Sequence, residues 1–218
     1  MKKIVLLGSG GHCKVIQDIV KAGGEYELFG LLDDKETGHV VKDGIHYAPI
    51  SFAHELLESD CDVRLVISIG NNRIRKKIAE KLNLPNEKYA TLVHPSAVLG
   101  SNVTIGAGAV VMPGAMINAD SKVGKHNIVN TRSVIEHDNL LEDYVHLSPN
   151  ASAAGGVTIA EGTHVGIGAS IIPGIHIEEW TVIGAGAAVV HNLPAYCTAA
   201  GVPAKPIKFH ERINELHT

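Results

Sequence analysis

The fold is decided by residues 97–129, AVLGSNVTIGAGAVVMPGAMINADSKVGKHNIV, in which an aliphatic residue returns at every sixth position. The spacing continues to residue 190 without insertion or deletion, and fifteen of the sixteen residues at this position are Ile, Leu or Val. A period of six fits neither an α-helix nor a strand that crosses an open sheet. It predicts a solenoid of short strands, in which the aliphatic residue and a small residue two positions earlier point inward.

Three such hexads would close one triangular coil of about 18 residues, so this segment holds about five coils. With ~4.8 Å between stacked strands, the prism would stand roughly 25 Å tall. The aromatic content of 4% agrees with this prediction, because a narrow coil interior has no room for rings. The spacing alone does not fix the hand of the coil.

The first ninety residues have a different pattern, in which apolar strand segments alternate with amphipathic helical segments. We predict strands over residues 3–7, 28–32 and 63–69 and helices over 12–22, 51–58 and 70–82, the first helix with Val15, Ile16, Ile19 and Val20 on one face. Alternating strands and helices are typical of a parallel sheet. We therefore predict two domains, a small α/β domain at 1–90 and a β-helix with a C-terminal tail at 91–218.

Composition excludes several classes of protein. The chain has 218 residues and a formal charge of −4, without the basic excess that a nucleic-acid-binding protein needs. No apolar stretch approaches the ~20 residues of a membrane span, and the initial apolar run of four residues is too short for a secretory signal. We therefore expect a cytoplasmic protein without membrane insertion. The three cysteines, Cys13, Cys61 and Cys197, suggest neither disulfides nor a zinc site.

The glycine-rich turn after the first strand is a candidate anion site. Gly8-Ser9-Gly10 resembles part of a dinucleotide fingerprint, but Cys13 stands where the third glycine belongs and the domain is too short for two nucleotide-binding halves. What remains is a set of bare backbone N–H groups at a helix N-terminus. Asp33 and Asp34 follow the next strand and could accept hydrogen bonds from a sugar or a base. The alternative is a packing turn without a ligand.

One corner of the repeat departs from its usual composition, at residues 133–138, Ser-Val-Ile-Glu-His-Asp. Eighteen residues later the same corner carries Gly155, so the imidazole of His137 would lie at a notch in the prism. An imidazole suits a general base at neutral pH, and Asp138 could fix its tautomer and raise its basicity. The alternative is a solvated surface histidine.

The remaining histidines and cations add constraints. His146 and His164 lie one coil apart and should stack, but two histidines without a third ligand make a poor metal site, and we predict no metal. Residues 97–190 contain three basic and eight acidic residues, so a phosphorylated cofactor would need cations from elsewhere. Lys205 and Lys208 in the C-terminal tail are the nearest candidates.

Several short motifs, spread over nearly the whole chain, resemble one family. They are Gly8-Ser9-Gly10-Gly11-His12, Asp33-Asp34, Ile69-Gly70-Asn71-Asn72, Leu92-Val93-His94-Pro95, Asn130-Thr131, Ile135-Glu136-His137-Asp138 and Gly201-Val202-Pro203-Ala204-Lys205. The chain resembles the bacterial hexapeptide-repeat sugar O- and N-acyltransferases, which acetylate nucleotide-linked 4-amino sugars in bacillosamine synthesis or hydroxyls of sialic acid. The resemblance implies a Rossmann-like α/β subdomain followed by a left-handed parallel β-helix, an exception to the right-handed crossover rule.

The resemblance also implies roles for individual residues. His137 matches the family's general base and Asp138 the acidic residue beside it. Positions that line the acetyl-CoA groove match His146, Gly155, Ile167 and Ala185, the last commonly Gly in relatives. Positions of the nucleotide-sugar pocket match Gly10, Gly11, His12, Asp33, Asp34 and Gly70, although Gly10 lacks the hydroxyl of the Ser common in that turn. Members of the family are homotrimers that hold the cofactor between neighbouring prisms.

The expected activity is acetyl transfer from acetyl-CoA to the 4-amino group of a nucleotide-linked deoxyamino sugar, with a UDP-linked acceptor favoured. Transfer would be direct, with His137 as the base and no protein nucleophile. Two alternatives stay open, an O-acetyltransferase that uses the same base on a hydroxyl and a non-catalytic sugar-nucleotide-binding scaffold.

Overall fold

The N-terminal region is an α/β unit around one five-stranded sheet. In the computed structural model, which describes residues 1–212, the strands are β1 (Lys2–Leu7), β2 (Tyr26–Leu32), β3 (Val40–Lys42), β4 (Ile45–Ala48) and β5 (Val63–Ile67). The helices are α1 (Gly11–Gly23), α2 (Ala53–Ser59) and α3 (Asn72–Leu82), with 3-10 turns at Ile50–Phe52 and Asn86–Lys88. The strand order is β3-β4-β2-β1-β5, parallel except for β3. The last residues of the predicted C-terminal domain, 213–218, lie outside the described residues.

The sequence patterns missed two hairpins, one in this sheet and one at residues 197–209, and misplaced one side chain. Strands β3 and β4 pair in antiparallel fashion around Asp43 and Gly44, both at positive φ, and this Asp-Gly pair was the available signal. Val15, predicted on the buried face of α1, is 38% exposed, and Cys13 is buried instead. The reason is helical spacing, since Cys13 lies three residues before Ile16 and seven before Val20, within the buried face, whereas Val15 is in line only with Ile19 at the edge of that face.

From Leu92 to Val189 the chain winds into a triangular prism of short parallel strands. Up to Ile171 each strand pairs with the strand 18 residues further on, as Ile117 pairs with Ile135, and the strand at Val182–Ile183 pairs at a spacing of 16. The strands are β6 (Leu92–Val93), β7 (Val98–Leu99), β8 (Thr104–Ile105), β9 (Val110–Val111), β10 (Met116–Ile117), β11 (Lys122–Val123), β12 (Ile128–Val129), β13 (Val134–Ile135), β14 (Leu140–Leu141), β15 (His146–Leu147), β16 (Ser152–Ala153), β17 (Thr158–Ile159), β18 (His164–Val165), β19 (Ser170–Ile171), β20 (His176–Ile177), β21 (Val182–Ile183), β22 (Ala188–Val189), β23 (Cys197–Ala200) and β24 (Lys205–Phe209).

The strands form three faces. Face 1 contains β6, β9, β12, β15, β18 and β21 and continues into the antiparallel hairpin of β23 and β24. Face 2 contains β7, β10, β13, β16, β19 and β22, and face 3 contains β8, β11, β14, β17 and β20. The hexad residues from Val111 to Val189 fill the interior as one buried cluster. The predicted six-residue period is therefore confirmed.

Polar side chains at the inner corners complete the coil. Ser121, Asn127 and Asn139 are buried there, and their hydrogen bonds go to backbone groups of the same or the adjacent coil. A buried backbone group needs such a partner because water cannot reach it. These ladders hold successive corners in register.

The α/β unit packs on face 1. Residues of α1 and β1, including Ile16 and Leu6, share a buried cluster with Val110 and Ile128 of the prism. Because this packing covers most of face 1, its outer side chains at Leu92, Val110, Ile128 and His146 are buried, whereas Val182 at its far end is exposed and faces 2 and 3 are more open. Within the described residues no helix is long and apolar enough to cross a membrane.

Candidate active site

The polar corner predicted from the hexads lies between faces 2 and 3. His137 follows β13 and is exposed, with a side-chain exposure of 63%. Its Nδ1 lies 2.7 Å from Oδ2 of Asp138, and this hydrogen bond raises the pKa of His137. When Nδ1–H donates to the carboxylate, Nε2 carries the lone pair that can accept a proton. The geometry is that of a general base oriented by a carboxylate.

The backbone on either side of His137 is anchored from inside the coil. The side-chain Nδ2 of Asn139 donates to the carbonyl oxygens of Glu136 (2.6 Å) and Ala154 (3.0 Å). Ser121 donates to the same Glu136 carbonyl at 2.7 Å. The corner is therefore rigid even though the imidazole itself is open to solvent.

The notch predicted beside His137 is present. A Cβ atom added to Gly155 would lie 2.6 Å from both Cε1 and Nε2 of His137, far inside van der Waals contact. The ring of His137 therefore lies directly against the bare backbone of Gly155. Any side chain at this position would push the imidazole away.

A second group of predicted residues gathers at the carboxyl ends of β1, β2 and β5. Gly10 caps α1 with extended backbone, and Gly11 is the first helical residue. Asp33 Oδ2 accepts hydrogen bonds from the backbone N–H (2.8 Å) and hydroxyl (2.7 Å) of Ser9. Burial opposes the ionisation of Asp33, but these hydrogen bonds outweigh it and lower its pKa. The chain runs from β1 to β2 on one side and later crosses to β5 on the other side of β1. Open α/β sheets bind ligands at such a reversal of strand order, outside the carboxyl ends of the strands.

Asp34 has a structural contact. Its Oδ1 accepts a hydrogen bond from the backbone N–H of Ile50 at 3.0 Å, which ties the β2 loop to the start of the 3-10 turn. One carboxylate oxygen is therefore already engaged in holding this loop.

The fold brings His12, Gly70 and His146 together from three distant parts of the chain. The ring centroids of His12 and His146 are 6.4 Å apart, and Nδ1 of His146 lies 3.2 Å from the carbonyl oxygen of Gly70. Asn130 Nδ2 lies 3.0 Å from Nε2 of His146. A carbonyl needs a donor, so Nδ1 carries the proton and Nε2 accepts from Asn130. Burial lowers the pKa of His146 well below its usual value and that of His12 to about 4, so both are neutral at pH 7.

His146 and His164 stack as predicted. Their rings are 4.8 Å apart and nearly parallel, on neighbouring strands of face 1. Nε2 of His164 lies 2.7 Å from the hydroxyl of Ser148. Within residues 1–212 no group of three or more His, Cys, Asp or Glu side chains is placed to hold a metal ion.

A cavity of about 840 Å³ lies where α3, face 1 and the C-terminal hairpin meet. Two predicted residues, Gly70 and His146, line it. Asn72 and His164, which were noted in the sequence without a pocket role, also line it, together with Arg73, Trp180, Phe209 and His210, which were not singled out. Lys208, one of the two predicted tail cations, lines it as well, whereas Lys205 does not.

The two remaining predicted cofactor residues lie elsewhere on the prism. Ile167 and Ala185 are exposed at the corner between faces 1 and 2, one coil apart. His137 and Gly155 occupy the corner between faces 2 and 3. One chain therefore does not bring these two pairs into one groove.

Two buried polar residues of α3 had no role assigned from the sequence: Asn72, which stands at the end of the Ile69–Asn72 motif, and Arg75. Arg75 is 1% exposed and donates to backbone carbonyls of both the α/β unit and the prism. Arg75 lies in a helix with several other Lys and Arg residues, and the sequence alone does not show which of these cations is buried. No signal in the sequence separated Arg75 from them.

Comparisons with known proteins found matches to the sequence and to the fold of this chain. The PglD N-terminal domain model matches residues 3–82. UDP-N-acetylbacillosamine N-acetyltransferase of Bacillus subtilis (strain 168) is 43% identical over 112 residues, which is 51% of this chain and 52% of the relative. GDP-perosamine N-acetyltransferase of Escherichia coli O157:H7 is 32% identical over 148 residues, which is 65% of this chain and 62% of the relative. The matched segments thus span only about half of the first curated relative and less than two thirds of the second.

Solved structures match over nearly the full length. A histidine-to-asparagine mutant of perosamine N-acetyltransferase from Caulobacter crescentus, in complex with CoA and GDP-perosamine, has a TM-score of 0.86 at 36% identity, covering 95% of this chain and 98% of that one. The acetyltransferase domain of PglB from Neisseria gonorrhoeae has a TM-score of 0.85 at 33% identity, covering 95% and 100%. The predicted fold class, a Rossmann-like α/β domain followed by a left-handed parallel β-helix, is confirmed. Because these matches extend over both domains, the chain belongs to the family of bacterial hexapeptide-repeat sugar acyltransferases.

Proposed function

We propose that this protein is an acetyl-CoA-dependent N-acetyltransferase acting on the 4-amino group of a nucleotide-linked deoxyamino sugar. The observation that carries the proposal is His137, an exposed imidazole oriented by Asp138 and set against the bare backbone of Gly155. The relatives support the choice of substrates, since both curated relatives are named as N-acetyltransferases of sugar nucleotides and one structure holds CoA with GDP-perosamine. We expect the reaction to take place in the cytoplasm.

The proposed chemistry is a single direct transfer. Nε2 of His137 removes a proton from the sugar amine while the nitrogen attacks the thioester carbonyl carbon. The C–N bond forms, the C–S bond breaks, and the thiolate of CoA takes up the proton from His137 and leaves as the free thiol, which restores the neutral imidazole. A backbone N–H near Gly155 stabilises the oxyanion that develops on the carbonyl. A base of this kind contributes roughly 10²- to 10⁴-fold.

The nucleotide part of the acceptor is assigned to the carboxyl ends of β1, β2 and β5. Backbone N–H groups at Gly10 and Gly11 open helix α1 and are suited to a phosphate. Asp33 is ionised and held by Ser9, so its remaining lone pairs can accept from a sugar or a base. The unpartnered Nε2 of His12 and the Gly70 loop form the side of this pocket nearest face 1. We keep a UDP-linked sugar as the first acceptor to test and a GDP-linked sugar as the second.

The cofactor groove requires a second copy of the chain, and we propose a cyclic homotrimer. Ile167 and Ala185 lie at a different corner from His137 and Gly155, so acetyl-CoA can touch both pairs only if two prisms stand side by side. Flat faces on a triangular prism favour closed three-fold packing. Light scattering of the purified protein tests this assignment, and a monomer that is fully active would contradict it.

The test of the function uses purified protein, acetyl-CoA and a panel of nucleotide-linked 4-amino sugars, with free thiol as the readout. His137→Ala should lower kcat at least about tenfold and leave the affinity for acetyl-CoA nearly unchanged, because the imidazole acts in the chemical step. His176→Ala is the matched control, since His176 also pairs with a carboxylate, that of Glu178 at 3.2 Å, but stands on β20 away from the notch. An unaltered kcat in His137→Ala would remove His137 from the mechanism.

The same assay separates the alternatives. An O-acetyltransferase would act on the hydroxyl analogue of the amino sugar and ignore the amine. A non-catalytic scaffold would neither bind acetyl-CoA in a titration nor release thiol.

A further inference from the structure

Arg75 on α3 is a buried cation that uses its full set of donors. Nε donates to the carbonyl of His126 at 2.7 Å, and Nη2 donates to the carbonyl of Tyr144 and to Oδ1 of Asn72, both at 2.9 Å. Nη1 donates to the carbonyls of Ile69 at 3.0 Å and Gly70 at 3.3 Å. Five N–H groups thus meet five oxygen acceptors, which is the full donor capacity of a guanidinium.

The charge of Arg75 has no carboxylate to neutralise it. Among residues 1–212 no Asp or Glu lies within ion-pair distance of its guanidinium, and every acceptor is a neutral oxygen. Burial lowers its pKa to about 9, so it stays charged at neutral pH. A buried charge is costly, and apolar residues of similar volume often replace one without loss of stability. Stability alone is therefore a weak reason for an arginine at this position.

The acceptors of Arg75 belong to two different parts of the molecule. Ile69 and Gly70 form the loop after β5, which lines the large cavity. His126 and Tyr144 are corner residues of two successive coils, both in left-handed backbone conformation. Asn72 links α3 to a third coil of the prism, because its Nδ2 donates to the carbonyls of Gly162 at 3.0 Å and Thr163 at 3.2 Å. One turn of α3 thus fixes the Gly70 loop against three coils at the same corner.

The Gly70 carbonyl is held from two sides. Arg75 reaches it from α3, and Nδ1 of His146 reaches it from face 1. His146 is in turn held by Asn130. A continuous hydrogen-bonded chain therefore runs from Arg75 through the Gly70 loop to face 1.

We propose that Arg75 is a positioning residue for the sugar-nucleotide acceptor. It sets the distance between the nucleotide pocket of the α/β domain and the prism by holding the carbonyls of Ile69 and Gly70 against the corners of His126 and Tyr144. This inference rests on the proposed function for the identity of the ligand. Of the residues matched to the acetyl-CoA groove, only His146 belongs to this hydrogen-bonded chain, since Gly155, Ile167 and Ala185 lie at other corners of the prism.

The decisive variant is Arg75→Met, which keeps the volume of the side chain and removes all five hydrogen bonds. We expect KM for the nucleotide amino sugar to rise roughly tenfold or more, because a ~1 Å displacement of a positioning group has effects of this size. The Kd of acetyl-CoA and the saturated kcat should stay within about threefold, since the imidazole corner is untouched. Lys77→Met is the matched control, because it removes an exposed cation from the same helix and should change neither constant.

Titration with UDP and GDP, without turnover, separates this inference from the proposed function. If UDP or GDP binds the wild-type protein and binds Arg75→Met more weakly, by the same factor as the rise in KM, the inference is supported even when no acetyl transfer is detected. If Arg75→Met binds UDP and GDP as tightly as the wild-type protein, the inference is overturned and the proposed acetyltransferase function is unaffected. No binding to the wild-type protein overturns both the nucleotide pocket and the inference.

A second variant covers the case in which Arg75→Met does not fold. Arg75→Lys retains the charge but replaces the planar fork by a single ammonium with three donors. It should bind nucleoside diphosphates with an affinity between those of the wild-type protein and Arg75→Met. In Arg75→Ala, 10 to 50 mM guanidinium should raise the affinity for nucleoside diphosphates on the order of severalfold, whereas the same concentration of ammonium should not. Full nucleotide affinity in Arg75→Lys would contradict the need for the bidentate contact with the loop.

Discussion

Gly155→Ala should displace the imidazole of His137 while leaving that residue itself in place, so it tests the position of the proposed base. The added methyl group would lie 2.6 Å from Cε1 and Nε2 of His137 and 3.2 Å from its Nδ1. Ordinary carbon contacts begin near ~3.5 Å, so the ring has to move by roughly 1 Å. The exposed side chain is free to swing outward, and in doing so it leaves the carboxylate of Asp138. Alanine is otherwise acceptable here, because the φ angle of Gly155 is not in the left-handed region.

A displacement of about 1 Å in a catalytic group costs roughly 10²-fold in rate. We therefore expect kcat of Gly155→Ala to fall by about this factor in the thiol-release assay. The acid limb of the pH profile of kcat/KM should move to lower pH as well, because the hydrogen bond that raises the pKa of His137 is lost. These two effects together distinguish a displaced base from a general loss of folding.

The matched control is Gly156→Ala at the neighbouring position. Gly156 has a φ of 68° and no atom within 4 Å of an added Cβ, so alanine brings backbone strain of about 1 kcal/mol but no contact with His137. Its thermal midpoint should fall slightly while kcat stays within about threefold. If Gly155→Ala retains full kcat and an unchanged pH profile, the imidazole at this notch is not the base.

Two further predictions concern the same corner. Asp138→Asn removes the carboxylate whose hydrogen bond and charge raise the pKa of His137, so the acid limb of kcat/KM should shift to lower pH and the plateau rate should fall roughly tenfold. The sign follows because a base with a lower pKa stays unprotonated to lower pH, and a shift to higher pH would refute the role of Asp138. Ile135→Ala should lower the free energy of unfolding in urea by about 2–5 kcal/mol, because Ile135 is 0% exposed and the narrow coil cannot collapse around the cavity. Val134→Ala, the outward neighbour on the same strand, should cost about 0.5 kcal/mol, and equal losses in the two variants would contradict the inward orientation of the hexad residue.

The prism could be predicted from the sequence because its determinants are local and periodic. An inward aliphatic residue at every sixth position, such as Ile117 and Ile135, is enough to specify where each strand lies and which residue shares its face 18 residues later. The corner of His137 was visible for the same reason, since ionisable residues interrupted a pattern of small ones. The hairpin of β3 and β4 was also within reach, because Asp43-Gly44 is a local turn signal.

Only the tertiary structure decided what covers face 1. His146 looks like any outward residue of the repeat, and its burial follows from the packing of the α/β domain, which brings Gly70 and His12 to it. Arg75 is one of several cations on a short helix, and nothing in its neighbourhood in sequence records the carbonyls of His126 and Tyr144 that surround it. Local periodicity reports which way a side chain points, whereas its partner depends on contacts between distant segments, and these form only when the two domains meet.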